Sequence, residues 1–173
     1  MAAGGRRAVW NSHRRPSSGP ARRTMPYDAY LLIGNSNTRK ASLLRSLTGC
    51  FNRSLRDIEL LNGKPMRLYV RVAALQESRT DPADFIAEVG RARCTAVAFA
   101  LLPEANPLDS ERWPDAHAYI AAFKAAGWNL RRTALLGAHP IKPELVDTAR
   151  FPNVLHQPIN TSAAALRAHF GWR

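Results

Sequence analysis

The chain has 173 residues, of which 46% are hydrophobic and 22% are charged, and its net charge is +12. This length and composition suffice for one globular core and exclude collagen-like and wholly disordered chains. The longest apolar run, residues 94–103, is about half as long as a membrane-spanning helix, so we expect no membrane span. Two cysteines cannot form a disulfide framework or a zinc site by themselves, which favours a reducing, cytoplasmic location.

Half of the excess positive charge lies in the first 24 residues, which contain six arginines and no acidic residue. We therefore predict a basic disordered tail over residues 1–24 and a single domain over residues 25–173. The tail has three open roles: an electrostatic arm for nucleic acid or an acidic surface, an organellar targeting segment, or an extension without a role. In the last case translation starts at Met25 rather than Met1.

Short apolar runs that predict strands alternate along the chain with segments whose apolar residues recur at helical spacing. In chain order the predicted elements are strand 29–33, helix 40–47, strands 57–61 and 66–74, helix 81–93, strand 96–102, helix 115–126, strand 132–136, helix 143–149, strand 153–156 and helix 162–170. The Asn62-Gly63 pair between two apolar runs predicts a hairpin. The order indicates an α/β fold, with a three-layer, mainly parallel sheet and one antiparallel edge strand.

In such sheets a ligand binds where the first strand runs into the first helix. A phosphate-binding P-loop at this place reads Gly, four residues, Gly, Lys and then Ser or Thr. Here Gly34 and Lys40 have the required separation, but Arg39 replaces the second glycine and Ala41 replaces the hydroxyl residue. The predicted phosphate-binding residues are Gly34, Asn35, Ser36, Asn37, Thr38, Arg39, Lys40, Ala41 and Ser42. The alternative is a polar turn that only caps the helix.

Three further segments, taken with this loop, resemble the Ras-like small GTPases, a division of the P-loop NTPases. Residues 72–77, Val-Ala-Ala-Leu-Gln-Glu, stand where that family has Asp-Thr-Ala-Gly-Gln-Glu. Residues 137–141, Gly-Ala-His-Pro-Ile, stand where it reads guanine with Gly-Asn-Lys-x-Asp. Residues 161–164, Thr-Ser-Ala-Ala, correspond to its Thr-Ser-Ala-Lys motif before the last helix. The resemblance covers nearly all of residues 27–172 and implies a P-loop NTPase topology.

The same resemblance implies that catalysis is impaired. Gln76 falls where the family orients the attacking water, but Ala41 and Val72 replace both side chains that hold magnesium. We therefore lean against an enzyme and keep Gln76 as the one catalytic candidate. The nucleotide stays open between GTP or GDP and ATP, with magnesium held weakly or not at all. The base-side pocket would be formed by Gly137, His139, Ser162 and Ala163.

These observations favour a pseudo-GTPase that binds another protein and keeps weak or vestigial nucleotide binding. Arg67, Tyr69 and Arg71 lie on one side of a predicted edge strand, so we predict that this row docks the partner. Two alternatives remain open. One is a nucleic-acid-associated protein that uses the basic tail, and the other is an unorthodox active P-loop NTPase.

Overall fold

A computed structural model describes residues 26–138 and 147–173. In this part of the chain the elements are β1 (Asp28–Gly34), α1 (Lys40–Thr48), β2 (Arg53–Glu59), β3 (Pro65–Arg71), α2 (Pro82–Arg91), β4 (Ala96–Leu101), α3 (Ala116–Ala125), β5 (Asn129–Leu136), β6 (Thr148–Phe151) and α4 (Ile159–Phe170). The predicted disordered tail, residues 1–24, lies outside the described residues. No described helix is long and apolar enough to cross a membrane.

The six strands form one sheet in the order β2-β3-β4-β1-β5-β6. Every neighbouring pair is parallel except β2 with β3, which form an antiparallel hairpin at one edge. The predicted α/β class, the mainly parallel sheet and the antiparallel edge strand are therefore confirmed. β1 lies in the interior of the sheet between β4 and β5, and this explains why six of its seven residues are buried.

Two hydrophobic clusters cover the two faces of the sheet, because successive side chains of a strand point to opposite sides. Tyr30 and Leu32 of β1 pack with α1 and α4, whereas Leu31 and Ile33 pack with α2 and α3. The sheet is thus the middle of three layers. The second cluster is rich in aromatic contacts, and Phe123 stacks on Trp128 with ring centroids 4.6 Å apart.

Local signals account well for the helix ends. The Asp81 side chain accepts a hydrogen bond from the N–H of Asp84 (2.8 Å), and Asp115 accepts one from Ala118 (2.9 Å). Both are side-chain caps of the kind that short polar residues supply at helix N-termini. α1 ends at Gly49 with φ 66°, a left-handed conformation that glycine adopts without a Cβ penalty.

The predictions for the elements that follow β5 in the chain are partly wrong. The predicted helix 143–149 lies mostly outside the described residues, and its last two residues belong to β6 instead. The predicted strand 153–156 is a series of turns, in which His156 N–H donates to the carbonyl of Asn153 (3.0 Å). A single buried apolar residue, Val154, is not enough to set a strand register there. α4 begins at Ile159, three residues before its predicted start.

Candidate functional site

The loop between β1 and α1 lies at the carboxyl edge of the sheet. α1 follows β1 and packs on one face, whereas α3 follows the neighbouring strand β4 and packs on the other. Helices that leave adjacent strands toward opposite faces open a crevice between them, and α/β proteins bind ligands in that crevice. Asn35, Ser36 and Asn37 are exposed at this place.

The loop has two non-glycine residues in the left-handed region, Asn37 at φ 67° and Arg39 at φ 60°. Arg39 is the residue at the second-glycine position, so the backbone keeps a glycine-like conformation although the side chain differs. Residues that alternate in this way turn successive N–H groups toward one point and form an anion-binding concavity. α1 begins directly after it, with no side-chain cap and no acidic residue in its first turn.

Lys40 is folded back over this loop. Its Nζ donates to the carbonyl of Asn35 at 2.6 Å, and only 5% of the residue is exposed. Burial lowers the pKa of Lys40, and the nearby Glu77 carboxylate, 3.9 Å away, raises it only in part. The same carboxylate accepts a hydrogen bond from the Ser36 hydroxyl (3.3 Å). A largely buried ammonium therefore faces the loop with one exposed carboxylate as its partner.

Gly34 allows the loop to close tightly. A Cβ at Gly34 would lie 2.4 Å from Thr38 Oγ1 and 3.0 Å from Leu136 Cβ. The Thr38 hydroxyl, which donates to the carbonyl of Asn35 (2.8 Å), occupies the space that a side chain at Gly34 would need. The first glycine of the pattern is thus required by packing in the loop itself.

We expect Gly34→Ala to lower the free energy of unfolding by about 1–3 kcal/mol, because the new methyl group must displace Thr38 or β5. Gly90→Ala is the matched control, since Gly90 lies inside α2 with nothing within 4 Å of the added Cβ, and it should stabilise by about 0.5–1 kcal/mol. Urea denaturation of both variants measures these changes in the free energy of unfolding. Equal shifts of the same sign would contradict the close packing around Gly34.

The predicted base-side residues are brought only partly to the loop. A Cβ at Gly137 would contact Thr38 Cγ2 at 3.5 Å, so this glycine borders the loop. The Ser162 hydroxyl is buried and donates to Gln157 Oε1 at 3.5 Å. The Arg39 guanidinium donates to the carbonyl of Gln157 (3.1 Å), and it therefore points toward the start of α4.

The other two members of that set are Ala163 and His139. Ala163 is buried in the cluster between the sheet and the α1–α4 pair, where its methyl group packs against other apolar side chains. His139 lies outside the described residues. The Arg39 side chain and the backbone of Gln157, rather than Ala163, border the loop on this side.

Gln76 is a buried structural cross-link. Its Nε2 donates to the carbonyls of Leu102 (3.0 Å) and Pro114 (3.2 Å), and its Oε1 accepts from the N–H of Leu102 (3.0 Å). The residue is 0% exposed, and both amide hydrogens are already used. This side chain therefore holds the segment after β4, and the arrangement leaves it no hydrogen to donate to a water near Lys40.

Ala41 and Val72, which the resemblance to small GTPases places at the magnesium-ligand positions, line one groove of about 260 Å³. The other lining residues are Arg45, Asn52, Arg53, Arg71 and Ala73. Alanine and valine offer no oxygen ligand, and three arginines disfavour a cation. Among the described residues no group of three His, Cys, Asp or Glu side chains could hold a metal ion. The residues present do not fit magnesium.

The predicted docking row on β3 is less accessible than expected. β3 lies between β2 and β4, so it is not an edge strand. Tyr69 is buried and donates to Glu88 of α2, while Arg71 is bound to both Glu88 oxygens at 2.8 Å. Arg67 alone is exposed, and it pairs with Asp57 across the hairpin at 2.9 Å. The expectation of an exposed row is wrong for Tyr69 and Arg71, because α2 covers them.

Glu88 is the centre of this cluster, and nothing in the local sequence marked it. Burial raises the pKa of Glu88, but the hydrogen bonds from Tyr69 and Arg71 and the charges of Arg71 and Arg53 lower it more, so the net shift is downward. For Tyr69, burial and then the bond to Glu88 raise the pKa well above its usual range. The cluster ties α2 to β3.

Sequence reasoning also missed Arg45 and Arg53. Arg45 lies one helical turn after Ala41, so helical spacing could have placed both on the same groove. Arg53 pairs with Arg71 across the hairpin, and that pairing depends on a register that the turn sequence alone does not give.

No family model, no curated protein and no solved structure matches this chain. The resemblance to small GTPases therefore rests on the spacing of the motifs and remains a hypothesis. The geometry of the loop from Gly34 to Lys40 is independent of that resemblance, since it follows from backbone angles and contacts.

Proposed function

We propose that this chain is a divergent P-loop domain, similar to the small GTPases, that binds a phosphate ligand weakly and serves as a protein-binding module rather than as a GTPase. One observation carries the proposal. The Lys40 ammonium is buried against the loop, where it donates to the carbonyl of Asn35, and Asn37 and Arg39 of the same loop have left-handed backbone angles of the kind found in anion-binding concavities.

The charge balance of the loop supports an anionic ligand. Removing a cation from water costs free energy unless an anion compensates it. Glu77 is the only described carboxylate paired with Lys40, and it stands 3.9 Å away with 43% of its side chain exposed. A phosphate, which carries more charge and more acceptor oxygens, would compensate Lys40 and the free N-terminus of α1 better.

The same residues argue against efficient hydrolysis. Phosphoryl transfer depends on positioning and on charge neutralisation, much of which a metal ion supplies. Ala41 and Val72 offer magnesium no ligand, and Gln76 uses its amide hydrogens to hold Leu102 and Pro114. Binding without turnover is what this set of side chains favours.

A protein partner is supported by the exposed segment between α1 and β2. Phe51 is 77% exposed there, and its carbonyl accepts a hydrogen bond from Arg45 Nε (3.1 Å). Aromatic and arginine side chains are enriched at the centres of protein interfaces. We therefore place the docking surface around Phe51 and Arg45 instead of the covered row on β3.

The nucleic-acid alternative depends on the basic tail, residues 1–24, which lies outside the described residues.

Calorimetric titration with GTP, GDP, ATP and ADP, with and without magnesium, tests the phosphate site. We expect Lys40→Ala to weaken binding at least tenfold, because the variant removes the buried cation that faces the ligand. Lys64→Ala is the matched control: Lys64 is an exposed lysine of the β2–β3 turn, and its loss changes the net charge equally. Equal affinity in Lys40→Ala and the parent would overturn the phosphate site, and magnesium-dependent turnover would overturn the argument against hydrolysis.

A further inference from the structure

The groove beside α1 combines strong positive charge with the absence of any carboxylate among its lining residues. Of its seven lining residues three are arginines, namely Arg45, Arg53 and Arg71, and none is acidic. Its volume of about 260 Å³ is several times that of a phosphate group. Ala41, Val72 and Ala73 contribute small or apolar side chains to its lining.

The three arginines are not equally neutralised. Arg71 is held by both oxygens of Glu88 and donates to the Thr80 hydroxyl (3.0 Å), so its charge is largely compensated. Arg53 is 3.7 Å from the same carboxylate and 63% exposed. Arg45 donates to a neutral carbonyl, and no described carboxylate forms an ion pair with it. The Glu88 carboxylate thus pairs with two of the three guanidinium groups, and the surplus charge lies on Arg45 and Arg53.

The groove and the Lys40 loop are neighbours. Ala41, which lines the groove, directly follows Lys40 in the first turn of α1. On the other side, the segment that begins at Arg71 in the groove reaches Glu77, which contacts Ser36 and Lys40 of the loop. A ligand held by Lys40 can therefore extend along the start of α1 into the groove.

We propose that Arg45 and Arg53 bind the terminal phosphate of an oligophosphate ligand directly, so that this site takes a phosphate chain without a metal ion. This inference rests on the proposed function, because Lys40 is assumed to hold the inner phosphate. Guanidinium groups match phosphate oxygens in bidentate geometry, and two of them supply the positive charge that a divalent ion would bring.

The test uses inorganic tripolyphosphate and orthophosphate as probes in calorimetric titrations of the full chain, in EDTA and in magnesium. We expect the double variant Arg45→Gln/Arg53→Gln to bind tripolyphosphate at least tenfold more weakly than the parent in EDTA. Orthophosphate, which is too short to reach from Lys40 into the groove, should change by no more than about twofold. Arg71 is left intact because it holds Glu88 and α2.

The matched control is Arg91→Gln/Arg93→Gln, which removes the same charge from exposed residues before β4, at the opposite edge of the sheet. It should bind tripolyphosphate as the parent does within about twofold. Magnesium should lower the apparent affinity, because the free probe chelates the ion whereas the groove does not bind it.

Each contrary result has a distinct meaning. If Lys40→Ala loses tripolyphosphate but the Arg45/Arg53 double variant does not, the proposed function stands and this inference is overturned. Affinity that rises with magnesium also overturns it. If the parent binds neither probe, the phosphate site and this inference are both overturned.

Discussion

Gln76→Ala should lower the free energy of unfolding by about 3 kcal/mol. The substitution removes three partly buried hydrogen bonds and leaves the carbonyls of Leu102 and Pro114 and the N–H of Leu102 without the Gln76 side chain as partner. Each buried polar group that loses its partner costs about 1–3 kcal/mol, and water entering the space recovers part of that loss. Denaturation in urea, followed by far-ultraviolet circular dichroism, measures the change.

Gln157→Ala is the control for this experiment, because Gln157 is exposed and its side chain makes one long hydrogen bond of 3.5 Å. We expect it to shift the free energy of unfolding by less than about 0.5 kcal/mol. If Gln76→Ala were equally mild, and instead removed a nucleotide-dependent activity, the residue would be catalytic rather than a cross-link between the segment after β3 and the segment after β4.

Glu88→Gln should cost about 2–4 kcal/mol near neutral pH. The substitution leaves the Arg71 guanidinium, whose side chain is only 13% exposed, without its carboxylate. Breaking one side of a buried ion pair costs about 3–5 kcal/mol, and the partial exposure of this pair reduces that figure. Glu59→Gln is the control, since Glu59 pairs with Arg173 at the exposed surface, and we expect a shift below about 1 kcal/mol.

The pH dependence of this effect follows from the lowered pKa of Glu88. The native state holds the carboxylate ionised to lower pH than the unfolded chain, in which its pKa is near the ordinary value of 4.5. The stabilisation is therefore fully present above that value and is lost as pH falls below it, through the pKa of the native state. Unfolding of the parent and of Glu88→Gln between pH 7 and pH 3 should show the difference shrinking on the acid side. A constant difference would contradict the ion pair.

The fold could be predicted from the sequence because its main signals are local. The apolar run that forms β4 and the caps at Asp81 and Asp115 act within a few residues, and each lies where the pattern predicted it. Sequence alone could not give the position of β6, because that strand is defined by its pairing with β5 and has only partly buried or exposed side chains. A strand of this kind has no alternation strong enough to detect.

For the β2–β3 hairpin, the sequence predicts the turn correctly but does not predict the register of the two strands. Its turn at Asn62-Gly63 was predicted, but Leu60 N–H donates to the carbonyl of Lys64 (2.9 Å), so the loop has three residues. A two-residue loop would shift the register by one and turn every side chain of one strand to the other face. This register is what pairs Arg53 with Arg71, and it could not be read from the turn residues.

Some features of the candidate site could also be predicted from the sequence, and others could not. The position of the loop between β1 and α1 follows from signals that are continuous in sequence, and the left-handed angle of Arg39 is the one expected at the second-glycine position of the P-loop pattern that the segment resembles. The hydrogen-bond partners of Gln76 and the burial of Tyr69 under α2 could not be predicted from the sequence. The bond from Gln76 to Leu102 joins residues 26 positions apart, and the bond from Tyr69 to Glu88 joins residues 19 positions apart. No local pattern specifies how these segments pack on one another.

The interior position of β1 has a consequence for the order in which the chain can fold during synthesis. β1 leaves the ribosome first among the elements, yet its two neighbours are β4 and β5, which end at residues 101 and 136. Contacts so distant in sequence form slowly, and their closure waits for the later segment. A nascent chain that has exposed only Lys40 therefore lacks both strands that flank the loop from Gly34 to Lys40, and the proposed phosphate site can form only after some four fifths of the chain has emerged.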